Sequence, residues 1–226
     1  AQASRKIETR VEETPEAVAR VVRQQLEQCE VPAETPVGIA CPAPIRPGKP
    51  LNFMANLDKS WIGVDVTAVF SEACGRPVTV VNDADAAGIA EQQFGAAKGQ
   101  KGLVVATTQG TGIGTALIYN GVLIPNTELG HIELPDGKGD AEKYAASSVR
   151  DREGMSYKKW AKRLTKYYGL LEKYLNPDLF VVGGGVSRVS EKFLPYVDIA
   201  TPIVAATLHN DAGIIGAAYY ATTKAH

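Results

Sequence analysis

Apolar and polar residues change period repeatedly along this chain, helical spacing giving way to short apolar runs and back again. Thr14-Pro15-Glu16 opens the first helical stretch: Thr14 suits the capping position, Pro15 the first turn, and Val18, Val21, Val22 and Leu26 form a stripe at helical spacing. Residues 5–11, ahead of it, predict a weak strand. Behind it, residues 37–40 predict a short apolar strand, and residues 45–53, around Pro47-Gly48, a hairpin. A second helix is expected over 64–74, closed by Gly75, then a buried strand over 77–81 that ends abruptly in polar residues. The third helix, over 84–94, stops at Gly95.

Residues 96–102, AAKGQKG, are small, polar and flexible, and mark a boundary between two lobes. Beyond them a strand over 103–107 runs into Gln109-Gly110-Thr111-Gly112, resumes over 113–119, and turns at Asn120-Gly121, a two-residue hairpin signal. Two helical stretches are expected within 141–175, a strand over 179–182 ending in three glycines, a last strand over 202–206, and a closing helix from about residue 211. Strands alternate with helices in both halves, which predicts an α/β fold. Residues 1–99, joined by the closing helix 211–226, form the small lobe, and 100–210 the large one.

Composition narrows the partners. At 45% hydrophobic and 22% charged the chain is globular, and a net charge of −1 supplies no global field for a polyanion. A phosphate-rich partner therefore needs a local patch, and neither nucleic acid nor membrane is expected. No run approaches the roughly 20 apolar residues of a membrane span, and no signal peptide precedes Arg5 and Lys6. Cys29, Cys41 and Cys74 are odd in number and lack CxxC spacing, which argues against disulfides and a thiolate zinc site and suits a reducing cytoplasm.

Four places carry candidate chemistry. Asn82-Asp83-Ala84-Asp85 puts carboxylates where a parallel strand meets a helix N-terminus, the usual ligand position in open α/β sheets, although Asp83 or Asp85 would equally serve as a helix cap. In Gly110-Thr111-Gly112-Ile113-Gly114 the glycines let backbone N–H groups turn toward an anion and Thr111 adds a hydroxyl; a tight turn is the alternative. The run is neither GxGxxG nor GxxxxGK[ST], so neither a dinucleotide fold nor a Walker loop is indicated. Glu128 and His131, beside Gly130, are able to converge on adjacent hydroxyls of a polyol, or to be solvated loop residues. A metal would want more ligands, and His209 and His226 are distant in sequence. Gly183-Gly184-Gly185 follows a strand and precedes a helix, which suits close approach of a phosphate or nucleotide but also any strand-to-helix turn.

Taken in order, NDADAA from Asn82, GTGIG from Gly110, ELGH from Glu128 and GGG from Gly183 resemble the ROK sugar kinases, members of the two-lobed actin/hexokinase-like (ribonuclease H-like) superfamily. LDKSWIG (57–63), PNTELGH (125–131), DAEKYA (140–145) and NDAGIIGAA (210–218) are similar to the actinobacterial polyphosphate glucokinases. The resemblance implies phosphorylation of glucose at its 6-hydroxyl by inorganic polyphosphate, and also by ATP, with Mg²⁺ on the donor, in a homodimer. An ATP-dependent ROK glucokinase and a non-catalytic sugar-binding ROK regulator are the alternatives. By the same resemblance Asp83 is the general base, and Asn56, Asn82, Glu128 and His131 bind the sugar. Glu142 closes the sugar site, and Gly110, Thr111, Gly112, Gly184 and Gly185 hold the donor.

Two departures stand out. The CxCGxxGC zinc motif that usually follows the GH pair is absent after His131, so no zinc is expected. The DxGGTxxK phosphate-binding hairpin does not occur in these 226 residues, which begin at Ala1 rather than Met. A chain without it is expected to phosphorylate glucose poorly and to leave residues 5–11 as an unprotected edge. Residues 150–173 hold eight basic side chains against three acidic. Lys159, Lys162, Arg163 and Lys166 are expected on one helix face beside the apolar row Trp160, Leu164, Tyr167 and Leu171, either as a solvated face or as a row of charges for polyphosphate.

Overall fold

The computed structural model describes residues 14–53 and 58–224, so the strand expected over 5–11 lies outside the described residues. Helix α1 (Pro15–Gln28) starts on Thr14, whose side chain accepts from the Ala17 amide. Strand β1 (Val37–Cys41) is parallel to β2 (Val78–Asn82). Between them α2 (Val66–Cys74) is capped by Asp65 and closed by Gly75 in the left-handed conformation, two residues later than its apolar run begins. Helix α3 (Asp83–Phe94) follows β2 without a connecting residue.

The hairpin expected over 45–53 does not form. Pro42, Pro44, Pro47 and Pro50 withdraw donors that a ladder would need, and the segment runs as a loop. The Lys49 amide closes a turn on the Arg46 carbonyl at 3.0 Å, and Leu51 exchanges hydrogen bonds with Gly63 and Val64 instead.

The second sheet has five strands in the order β5-β4-β3-β8-β9. Strands β3 (Leu103–Gln109), β4 (Ile113–Tyr119) and β5 (Val122–Ile124) form an antiparallel meander turning at Asn120-Gly121, both at positive φ. A small ribbon, β6 (Glu133–Leu134) with β7 (Gly139–Asp140), precedes three helices rather than two: α4 (Ala141–Ala145), α5 (Ser147–Arg152) and α6 (Tyr157–Leu175). Extended Ala146 and left-handed Gly154 break the helical run. Strands β8 (Leu179–Gly183) and β9 (Ile203–Ala205) add in parallel to β3, and α7 (Ala212–Lys224) ends the described chain.

One face of this sheet carries α6, whose Trp160, Leu164, Tyr167, Tyr168 and Leu171 pack on Val105, Phe180 and Val182. The apolar row Trp160, Leu164, Tyr167 and Leu171 is thus core. Its polar side splits: Lys159, Lys162 and Lys166 are exposed, whereas Arg163 turns back to pair with Glu153, donates to the Tyr144 carbonyl at 2.9 Å and lies over the Tyr144 ring. The other face packs on α3, and α7 lies between α3 and the β1–β2 pair.

Small residues set that spacing. A Cβ at Gly216 of α7 would lie 1.7 Å from the Ala86 carbonyl oxygen of α3. Gly216→Ala is therefore expected to push α7 away and cost about 1–3 kcal/mol, the scale of overpacking in a close-packed interior. Urea denaturation measures this, with an unchanged midpoint counting against the close contact.

Candidate active site

The site begins with a cap. Because β2 passes directly into α3, Asn82 is both the last strand residue and the N-cap, its Oδ1 accepting from the Ala84 and Asp85 amides at 2.9 and 3.0 Å. Neither Asp83 nor Asp85 is the cap. The Asn82 side-chain amide also donates to the Ala43 carbonyl at 3.2 Å, which leaves one Nδ2 hydrogen for a ligand. With capping taken by Asn82, the Asp83 carboxylate opens onto solvent at the first helical position.

Asp83 faces a cleft of about 330 Å³ whose wall includes Asn82, Glu128, His131 and Glu142, the loop residues Gly110, Thr111 and Gly112, and Gly184 with Gly185. Residues scattered over a hundred positions of sequence thus meet in one place. Asn56 lies outside the described residues. Pro42, Pro44 and Phe53 complete the wall, and Phe53 meets His131 edge to face at 6.2 Å. A second cavity, of about 280 Å³, joins the cleft at Asp83, Thr108 and Gly184 and holds His209, so His131 and His209 serve different spaces.

The loop 110–112 is the connection between antiparallel β3 and β4, so it is at once a tight turn and a wall of the cleft. Its amides are not all free. That of Gly110 donates to the Gly112 carbonyl at 2.9 Å, and that of Ile113 to Glu142 Oε2 at 2.8 Å, leaving those of Thr111 and Gly112 for an anion. A Cβ at Gly112 would fall 2.1 Å from Glu142 Oε2, so a side chain there would displace that carboxylate from the Ile113 amide. Ser147 and Ser148, at the start of α5, hold the Gly110 and Thr111 carbonyls from behind at 2.9 and 2.7 Å. Gly184 has φ +80°, and a Cβ there would strike the Gln109 backbone; a short 3₁₀ stretch rather than an α-helix follows it.

Sequence reasoning gave Asn126 and Asp140 no role and read Asp85 only as a strand-end carboxylate or helix cap. Asp140, delivered by the β6–β7 ribbon, accepts from His131 Nδ1 at 3.0 Å, which leaves Nε2 to face the cleft. Asp85 is only 1% exposed, and its Oδ2 accepts from the Asn126 amide at 2.8 Å. Asn126, at φ +61°, grips both the amide and the carbonyl of Ile45 at 2.7 and 2.8 Å. Asn126 and Asp140 belong to runs already legible as motifs, but the partners of Asn126 lie 41 and 81 residues away, and the pairing of Asp140 with His131 depends on the β6–β7 ribbon between them.

Charge is crowded. Protein packed around Asp83 lifts its carboxyl above the ordinary range, against the pull of the Ala84 amide. Burial likewise raises Glu128, partly offset by His131. Asp85 is pushed up to about 7 by burial, with Glu128 and Asp83 adding to the rise and the Asn126 amide opposing it. The hydrogen bond to Asp140 raises His131. Partial burial works to raise Asp140, but His131 and the amides of Lys143 and Glu142 outweigh it and hold that carboxyl below its usual value. Among the described residues no three His, Cys, Asp or Glu side chains are grouped to hold a metal ion.

A strand-end carboxylate set across a cleft from a glycine hairpin, with helices layered between two sheets, defines a mixed α/β protein of the actin/hexokinase-like sugar-kinase fold. The chain belongs to the ROK family, whose sequence pattern matches residues 1–146. It is 46% identical over 210 residues to the polyphosphate glucokinase of Mycobacterium leprae, covering 92% of this chain and 63% of that protein. It is 48% identical over 184 residues to that of Mycobacterium tuberculosis, covering 81% and 68%. The chain thus spans about two thirds of the length of these curated relatives. The inorganic polyphosphate/ATP-glucomannokinase of Arthrobacter sp. strain KM superposes with a TM-score of 0.86 at 44% identity, over 93% of this chain and 84% of that one. The ROK family glucokinase of Streptomyces griseus, at 23% identity and a TM-score of 0.76 over 93% and 89%, shares the fold.

The raised carboxyls predict how stability responds to pH. A carboxyl whose folded pKa exceeds its unfolded value costs stability as it ionises, so the Asp85 penalty grows from about pH 4 to about pH 7. His131, also raised, contributes stability below its unfolded value that is lost as pH climbs through its folded one. Both have the same sign: Tm is expected to fall between about pH 5 and about pH 8, and Asp85→Asn to flatten that slope. Calorimetric scans across this range check it, and a Tm that rises with pH would refute it.

Proposed function

We propose that this protein phosphorylates glucose at its 6-hydroxyl, with inorganic polyphosphate as the preferred phosphoryl donor and ATP as a second one. The observation that carries this reading is the meeting of Asp83, Glu128, His131 and the 110–112 loop around one cleft of a size to take a hexose. The high identity to the Mycobacterium polyphosphate glucokinases supports the donor.

Phosphoryl transfer passes through a loose transition state, so the protein has mainly to aim the acceptor oxygen and stabilise spreading negative charge. Asp83 accepts the proton of the 6-hydroxyl, and its lifted carboxyl is a stronger base than an aspartate of ordinary pKa. Glu128 accepts from a ring hydroxyl, His131 presents Nε2 to another, and the free Nδ2 hydrogen of Asn82 reaches a third. Asn56 is proposed to join them. The Thr111 and Gly112 amides, with Gly184 and Gly185 opposite, receive the donor phosphates. Glu142 pins the loop through the Ile113 amide. A divalent ion such as Mg²⁺, carried on the donor phosphates, would neutralise their charge.

The exposed Lys159, Lys162 and Lys166 support a path for a polyanion, three charges rather than the four expected, since Arg163 is engaged. Exposed Val122 and Ile124 on the outermost strand β5 support a homodimer, and three free thiols suit the cytoplasm.

Asp83→Asn is expected to keep glucose affinity within about tenfold while lowering kcat by at least ~10²-fold, the scale of a lost general base. Calorimetry and a coupled glucose-6-phosphate assay measure the two, and a mutant retaining more than about a tenth of the rate would remove Asp83 from the role.

With both donors supplied, kcat/KM is expected to be higher for polyphosphate than for ATP, and the polyphosphate KM to climb steeply with salt. The opposite preference would make this an ATP glucokinase, and binding of glucose without turnover a sensor.

A further inference from the structure

Asp85 has no part in the chemistry above, yet it is the most deeply buried acid of the site. One oxygen receives the Asn126 amide and the other, Oδ1, has no partner among the described residues. Burying a carboxyl where an apolar side chain would pack at lower cost calls for a return. Asn126 shows what it is. Its amide is spent on Asp85, and its side chain pairs with both backbone groups of Ile45, so three elements up to 81 residues apart are joined by three hydrogen bonds of 2.7–2.8 Å. Two residues beyond Asn126 stands Glu128, two before Asp85 stands Asp83, and the loop from Ile45 leads to Phe53 in the wall.

We propose that Asp85 is a positioning residue: through Asn126 its carboxyl clasps the 42–53 and 125–131 loops to the start of α3 and so sets the distance between Asp83 and the sugar-binding side of the cleft. The proposal rests on the glucose-phosphorylating reading. Thr115 reinforces the clasp, its hydroxyl donating to the Thr127 carbonyl at 2.8 Å and accepting from the Leu129 amide at 3.2 Å, so that the loop is tied on both sides of Glu128. The charge of Asp85 is not needed for its grip. Burial, with the charges of Glu128 and Asp83 adding to it, disfavours ionisation, so an uncharged acceptor of the same shape serves as well.

The test measures kcat, KM for glucose and calorimetric glucose affinity for the full chain and for Asp85→Ala, Asp85→Asn and Asn126→Gly. Glycine is chosen at 126 because it tolerates the positive φ. Asp85→Ala is expected to raise KM and Kd for glucose about tenfold with a smaller fall in kcat. Asp85→Asn should recover most of that loss, Asn126→Gly should match the alanine variant, and the double variant should be little worse than either single one. Wild-type affinity in Asp85→Ala, equal damage by alanine and asparagine, or a drop in kcat at unchanged KM, as partial unfolding gives, would each overturn the clasp. If Asp85→Ala does not fold, Asn126→Gly decides by the same criterion. A wild-type chain that binds glucose without phosphorylating it would end the kinase reading alone, since the affinities still report on the clasp. One that does not bind glucose would end both.

Discussion

The site hangs on the side chain of Asn82. A strand that becomes a helix with no connecting residue leaves the first helical amides without partners at the sheet edge, and something short must accept from them. Asn82 does so twice, for about 1 kcal/mol of capping stability. The larger effect is geometric. With Asn82 as the cap, Asp83 shares only the Ala84 amide through Oδ1 and faces the cleft as an acceptor, and Asp85, two residues on, points toward Asn126. The same side chain reaches the Ala43 carbonyl and so anchors the proline-rich loop that forms one wall.

Close packing of small residues then fixes where that helix lies. Helix α3 is pressed on one side by α7, with Gly216 against Ala86, and on the other by β4, where a Cβ at Gly88 would fall 2.6 Å from that of Ala116. Helices this near to their neighbours cannot shift without a clash, so the distance from Asp83 to the 110–112 loop follows from backbone contacts rather than from flexible side chains. That rigidity suits a reaction in which positioning supplies much of the rate.

Electrostatics runs against stability here. Asp83, Asp85 and Glu128 are all lifted by burial, and the charge of Asp83 adds to the rise of the other two; the Ala84 amide, the Asn126 amide and His131 respectively oppose it. An apolar cleft would make a sturdier protein. Gathering acceptors for several sugar hydroxyls and a base of raised strength in one cleft is a common reason for such a cost.

Most elements were legible in the chain because their signals are local: the Thr14-Pro15 start, the apolar row from Trp160 to Leu171, the Asn120-Gly121 turn, and the strand ends at Asn82 and Gly183. The order of the four polar motifs also identified the family, and the candidate residues it named, Asn56 aside, line one cleft. The hairpin expected over 45–53 failed because turn residues alone do not make a ladder when prolines remove its donors. The capping role fell to Asn82 rather than to an aspartate, since only the backbone geometry decides which of three neighbouring acceptors lies over the free amides. Arg163 left its row of lysines because Glu153 and Tyr144 were within reach. Local chemistry thus determined which segments are strands and helices and which residues are able to react. The tertiary structure alone decided which amides of the 110–112 loop stay free, which carboxyl is buried, and how Ile45, Asp85 and Asn126 come together, because those depend on partners tens of residues apart that only packing brings within hydrogen-bond distance.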